Sequence, residues 1–177
     1  PGHKGLYGPQ GTGLLLCGEG AAPRTLLEGG TGSLSRQQEM PDFLPDRLEA
    51  GTQNVHGAAG LLEGLRFVRR RGLPAIARQE GAVIAALAEG LRRMGGYRVY
   101  SGPGDASVLS IVPLETDPET LADRLAERGV AVRAGLHCAP LAHMSAGTAE
   151  TGTLRLSASV FNTLEEAEQV LAMLRQL

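Results

Sequence analysis

The segment GTLRLSASVFNTLEEAEQVLAMLRQL, Gly152–Leu177, carries two different hydrophobic periods. In Thr153–Ser157, Leu154 and Leu156 alternate with polar neighbours, the two-residue repeat of a strand with one buried face. Thr163-Leu164-Glu165-Glu166 then reads as a capping box, in which a threonine hydroxyl and a glutamate satisfy each other's backbone N–H groups at a helix start. Val170, Leu171, Leu174 and Leu177 follow at helical spacing, so the segment predicts a strand feeding a final helix.

The same alternation extends upstream. Val130–Arg133 reads as a strand, preceded by a helix that starts at Asp117-Pro118, carries Leu121 and Leu125, and stops at Gly129. Tyr97–Tyr100 and Val108–Val112 are further strand candidates. Before them the spacing predicts two helices. One runs from about Gly57 with Leu61, Leu65 and Val68, and ends on Arg69-Arg70-Arg71, where cations suit the helix dipole. Gly72 and Pro74 interrupt it. The other buries Ile76, Val83, Leu87, Leu91 and Met94 and stops at Gly95-Gly96. Strand and helix alternate through the second half, which predicts an α/β sandwich there.

Residues 1–56 are richer in glycine and proline. Their one apolar run, Leu14-Leu15-Leu16-Cys17, reads as a buried strand, with Cys17 packing as a small hydrophobe. Gly29–Ser33 and Glu49–Asn54 read as loops.

Composition narrows the function classes. A net charge of -2 gives no electrostatic case for nucleic acid, and 3% aromatics offer little surface for base stacking. No apolar run approaches the roughly 20 residues of a membrane helix. Two distant cysteines and four scattered histidines make neither a disulfide framework nor a zinc pattern, which points to reduced thiols and a cytoplasmic setting. The chain opens on a dense glycine motif, Pro1-Gly2-His3-Lys4-Gly5, as expected of a piece of a longer protein.

A few residues could carry chemistry. Lys4, between glycines, could approach a carbonyl cofactor closely and form a Schiff base, or be a solvated surface lysine. Gly8-Pro9-Gln10-Gly11-Thr12-Gly13 lacks the ending of a nucleotide-binding loop and reads as a turn into a strand. Cys138 follows a strand, with His137 adjacent and Arg133 nearby to favour a thiolate, although sequence adjacency alone leaves a structural role open. Arg155 is either an edge residue facing water or a bidentate carboxylate clamp.

Four blocks, taken in order, change this picture: PGHKGLYGPQGTG at the start, GGTGSLS at 29–35, PDRLEAGTQN at 45–54, and VAVRAGLHCAP with GTLRLSASVFNT between 130 and 163. In order and spacing they resemble the class V aminotransferase family, and within it the cysteine desulfurases and selenocysteine lyases.

The resemblance implies the C-terminal part of a fold-type I enzyme dependent on pyridoxal 5'-phosphate (PLP). Residues 1–64 would end the large domain and 65–177 would form the small α/β domain. Lys4 would carry the cofactor, His3 would sit against its phosphate, and Gly30, Thr31 and Thr52 would reach the phosphate of the neighbouring subunit in a homodimer. Cys138 would accept sulfur. Arg155 would bind the substrate carboxylate, with Arg133 and His137 beside it. Pro1 stands where the family often has a hydroxyl residue, and Leu136 where it often has a histidine.

The implied reaction converts L-cysteine to L-alanine and leaves a persulfide, for a sulfur-acceptor protein and for uses such as iron–sulfur cluster assembly. An aspartate and a ring-stacking histidine that the family uses precede the lysine, so the chain alone is expected to be nearly inactive. Selenocysteine or another amino acid as substrate, an inactive scaffold of the same fold, and a cysteine hydrolase using Cys138 with His137 or His143 are the competing readings. The last lacks an evident oxyanion loop.

Overall fold

A computed structural model describes residues 1–100 and 107–177, which divide into two compact units, Pro1–Arg71 and Gly72–Leu177.

The first unit is mostly irregular chain, with a single 3-10 turn at Asp46–Leu48, laid over helix α1, Val55–Arg71. Three glycines of α1 explain how the chain lies so close. A Cβ on Gly60 would meet the Pro9 ring at 2.5 Å, and one on Gly64 would meet the Leu6 carbonyl oxygen at 2.2 Å. Gly57 is similarly closed by Asn54 and Thr12. These residues fall on one helix face and form a notch for residues 6–12.

The expected buried strand at Leu14–Cys17 is not present. The run is irregular and exposed, with Leu16 at 88% of its free surface, and Cys17 is exposed rather than packed. A strand needs a ladder partner for its N–H and C=O groups, and none of the described residues pairs with this run. The turn at 8–13 therefore feeds no strand.

The second unit begins with α2, Leu73–Met94, and continues through β1, Tyr97–Tyr100; β2, Val108–Pro113; α3, Pro118–Ala126; β3, Arg133–Gly135; α4, Pro140–Ala146; β4, Thr153–Ser157; and α5, Leu164–Leu174. The local signals are realised at the expected positions. Pro74 opens α2, and Gly95, at φ 70°, closes it by donating its N–H to Leu91 O. The Asp117 side chain caps α3 at Thr120 N. Both bonds of the Thr163–Glu166 capping box are made.

Two differences matter. β3 starts at Arg133, not Val130; Val130 and Val132 pack against the core from irregular chain, and pairing begins only where Arg133 faces Arg155. Helix α4 gives no sequence signal because seven residues are too short to display a period; Pro140 opens it and Gly147, left-handed, ends it.

The sheet is antiparallel, in the order β1-β2-β4-β3. Leu109, Ile111, Leu154 and Leu156 all point to one face, where they pack with Leu91 of α2, Leu121 and Leu125 of α3, and Leu171 and Leu174 of α5. Most of these side chains are almost fully buried, so this layer is the core. Since side chains alternate, everything between those residues faces the other way.

No helix among the described residues is long and apolar enough to cross a membrane. None of them forms a cluster of three or more metal-ligating side chains.

Candidate active site

The opposite face of the sheet is polar, and register composes it. Tyr100 pairs with Ser110, Ser110 with Arg155, and Arg155 with Arg133, so these four lie in one row across all four strands. Arg155 is thus on an interior strand, half-buried, which removes the edge-strand alternative. Two arginines directly opposite one another repel. Among the described residues neither is met by a carboxylate, and the ion pairs of Arg66 with Glu63 and Arg93 with Glu89 lie elsewhere. Arg155 Nε is buried without a hydrogen-bond partner, and so are Tyr100 Oη and Thr153 Oγ1 on the same face. A face with opposed cations and unused donors has the chemistry to accept an anion.

Cys138 stands at the edge of this face. Beyond β3 the chain turns sharply, and both His137 (φ 53°) and Cys138 (φ 59°) are left-handed without being glycine. That conformation costs on the order of 1–2 kcal/mol per residue. Ala139 N closes the turn onto Leu136 O at 2.9 Å. The Arg133 guanidinium donates to Cys138 Sγ at 3.9 Å, and Cys138 is exposed and free.

His137 precedes the cysteine and is bonded to the Arg133 backbone. Its Nε2 is 2.9 Å from Arg133 O, and because a carbonyl only accepts, Nε2 carries the proton. In the neutral ring the lone pair is therefore on Nδ1. Burial holds His137 below the usual histidine range; the Arg133 carbonyl opposes this, and the charges of Arg155, His143 and Arg133 reinforce it.

His143, on α4, is 7% exposed and stacks on His137 with ring centroids 5.7 Å apart. Its Nδ1 is 2.8 Å from Thr148 Oγ1. Beside it a cavity of about 170 Å³ is lined by Tyr100, Ser110, Thr148 and Thr153. A larger hollow of about 380 Å³, lined by Val83, Leu87, Val130 and Met173 among others, contains none of the candidate residues.

The first unit holds the other candidates. His3 and Lys4 are exposed at the tip of a turn closed by Tyr7 N to Lys4 O (2.9 Å) and Gly8 N to Gly2 O (2.8 Å). Gly2 is buried, and a Cβ there would lie 2.3 Å from Thr12 Oγ1, so this glycine is required by space. The loops bearing Gly30, Thr31 and Thr52 are tied together by Gly51 N donating to Gly30 O at 2.8 Å. Thr31 Oγ1 accepts from Leu34 N, which fixes that loop's shape.

Arg133, His137, Cys138 and Arg155 are thus gathered within the second unit. His3 with Lys4, and Gly30 and Thr31 with Thr52, are gathered within the first. Sequence reading missed Tyr100, Ser110, Thr148 and Thr153 as neighbours of this group, because only the register and the α4 turn bring them there.

The family model described as Aminotransferase class-V matches residues 1–170. The chain belongs to the class-V aminotransferase family. It is 37% identical over 182 residues to a probable cysteine desulfurase of Xylella fastidiosa, covering 98% of this chain and 42% of that protein. A cysteine desulfurase of Synechococcus elongatus is 36% identical over 181 residues, covering 99% of this chain and 28% of the other. Among solved structures, the apo cysteine desulfurase of Thermococcus onnurineus NA1 is similar with a TM-score of 0.70 and 36% identity, over 75% of this chain and 33% of that one. The chain therefore spans less than half the length of these relatives. Its mixed α/β architecture is a partial fold-type I domain of the class-V kind.

Proposed function

We propose that this chain supplies the cofactor-bearing lysine and the sulfur-accepting cysteine of a PLP-dependent cysteine desulfurase. One observation carries the reading. Cys138 is exposed on a strained turn with the Arg133 guanidinium at its sulfur, beside a face where Arg155 has an unused donor.

The residues present fit pyridoxal phosphate. Lys4 is held at a turn tip beside Gly2, which admits no Cβ, its side chain is exposed, and His3 stands next to it. When bound, the cofactor supplies an electron sink for charge developing at the substrate Cα. The chain's own groups do the rest. Lys4 Nζ would hold the cofactor and, when free, would carry the Cα proton. Arg155 binds the substrate carboxylate and fixes its orientation, which makes the attack effectively intramolecular. Cys138 Sγ attacks the substrate sulfur: an S–S bond forms, the Cβ–S bond breaks, and Cβ takes up a proton. The balance is Cys138 thiol plus L-cysteine giving Cys138 persulfide plus L-alanine. His137, whose Nε2 is engaged by Arg133 O, would take the thiol proton through Nδ1.

The same reading makes residues 1–64 the end of the large domain and 65–177 the small one. It makes the enzyme a cytoplasmic homodimer in which Gly30, Thr31 and Thr52 serve the partner subunit's cofactor phosphate. The persulfide sulfur then passes to an acceptor protein, including for iron–sulfur cluster assembly. The exposed Thr52 and the bond between the two loops support the phosphate role.

The test is mass spectrometry of the full-length protein containing these residues, loaded with PLP and given L-cysteine. A one-sulfur increase on the Cys138 peptide with equimolar alanine is expected, and both should vanish in Cys138→Ser. Alanine release that persists in Cys138→Ser would refute the assignment.

A further inference from the structure

The turn that presents Cys138 is strained in a way that the residues next to the sulfur do not explain. Two consecutive non-glycine residues are held left-handed, at φ 53° and 59°, and such a conformation persists only where the surroundings over-determine it. The single backbone bond from Ala139 N to Leu136 O closes the turn but leaves the two side chains free to swing. Further contacts fix them. His137 is held from one side by Arg133 O and from the other by the His143 ring, stacked at 5.7 Å and 29°. His143 is itself immobilised: it is 7% exposed, its Nδ1 lies 2.8 Å from Thr148 Oγ1, and Thr148 N donates to His143 O at 2.8 Å. Thr148 is only 2% exposed. Gly152 N in turn donates to Thr148 O at 2.8 Å, and the Gly152 α-carbon lies so close to Gly135 that a Cβ would meet its backbone at 2.8 Å. The chain of contacts therefore starts and ends on the sheet.

We infer that His143, anchored by Thr148, is a positioning residue that holds the His137–Cys138 turn in its left-handed form and keeps Sγ beside Arg133. Neither residue bonds to the sulfur, whose side-chain partner is Arg133. They act through the His137 ring, as outer-shell groups orient an imidazole elsewhere. Release of the stack frees the turn to relax to ordinary backbone angles, which carries Sγ away from the Arg133 guanidinium and changes how the sulfur is presented. The inference deepens the assignment of Cys138 as nucleophile, but its test needs neither cofactor nor substrate.

The chain contains its own reference thiol in Cys17, which is exposed and free. The readout is the ratio of Cys138 to Cys17 alkylation by iodoacetamide at pH 7.5, followed by mass spectrometry in the 177-residue chain. Thr148→Val replaces the hydroxyl by a methyl at nearly constant volume, and Thr148→Ser keeps the hydroxyl. The ratio is expected to fall about fivefold in Thr148→Val and in His143→Ala, the population change that follows from losing one modest conformational constraint, and to stay near the wild-type value in Thr148→Ser. A ratio unchanged in folded Thr148→Val would overturn the inference, and so would a fall in Thr148→Ser as large as in Thr148→Val. If His143→Ala does not fold, Thr148→Val decides. Loss of the fold in Thr148→Val would assign the pair to the stability of the unit and overturn the positioning role as well. Persulfide formation on Cys138 is read separately, so failure of the positioning role and failure of the desulfurase reading are distinguishable.

Discussion

Glycine in a helix interior ordinarily weakens it, and replacement by alanine gains up to about 1 kcal/mol. Gly64 should reverse that sign. A Cβ there would lie 2.2 Å from Leu6 O and 2.9 Å from Tyr7 C, both backbone atoms that no rotamer change can move. Restoring an ordinary contact needs a shift of about 1 Å in the Leu6–Tyr7 segment, and overpacking of this kind costs about 1–3 kcal/mol. Set against the full helix gain, Gly64→Ala should destabilise by up to about 2 kcal/mol, a fall of several degrees in the unfolding midpoint. Gly81 is the control, since it lies in α2 with nothing within 4 Å of the point a Cβ would occupy, so Gly81→Ala should stabilise. The displaced segment is also the one that leaves the Lys4 turn, through Tyr7 N to Lys4 O. A misplacement of about 1 Å in a reacting group can cost about a hundredfold, so PLP capture by Lys4, read as visible absorbance lost in Lys4→Ala, should weaken by about tenfold or more in Gly64→Ala. If Gly64→Ala stabilises as Gly81→Ala does, with cofactor capture intact, the notch does not seat the lysine loop.

The like-charged pair on the sheet gives an opposite trade. Arg133→Gln removes the repulsion with Arg155 and should raise the urea midpoint by the equivalent of about 0.2–1 kcal/mol, while slowing alkylation of Cys138. Thr163→Ala deletes the hydroxyl that accepts Glu166 N and should cost about 1 kcal/mol in thermal or urea unfolding. His137 predicts a pH dependence. Its folded value lies below that of the unfolded chain, near 6.5, so the unfolded state takes up the proton first. The corresponding stability is complete above about pH 6.5 and is lost as the pH falls from there toward the folded value. His137→Gln should lose less stability than the wild type between pH 7.5 and 5.5 in urea titrations.

Much of this was legible in the sequence where a signal is local. Asp117, Thr163, Gly95 and Pro74 mark helix ends because caps depend on a few adjacent residues, and α2 and α5 show their core faces over several turns. Leu14–Cys17 misled because four apolar residues say that a segment seeks cover, not that this chain supplies it. Val130 and Val132 misled differently: they are core residues, but pairing with β4 begins only at Arg133. His143 and Thr148 were invisible as a pair, since their meeting depends on the left-handed Gly147 that ends a helix too short to show a period. The row from Tyr100 to Arg133 depends on register, which no local pattern carries. Lys4, Cys138 and Arg155 were legible only through the ordered blocks they share with a family.

Register also explains why the core and the site are one problem. In β4, Leu154 and Leu156 face the helices while Thr153 and Arg155 face the polar side. A one-residue slip would drive Arg155 into the apolar layer and bring the leucines into water, so the core fixes the arginine's position more firmly than any contact the arginine makes itself. That is how the sheet can hold two opposed guanidiniums and three buried polar atoms without partners on one face. The helices α2, α3 and α5 supply the apolar burial on the other face, so the polar face can carry these arginines and unpartnered atoms without having to build the core itself.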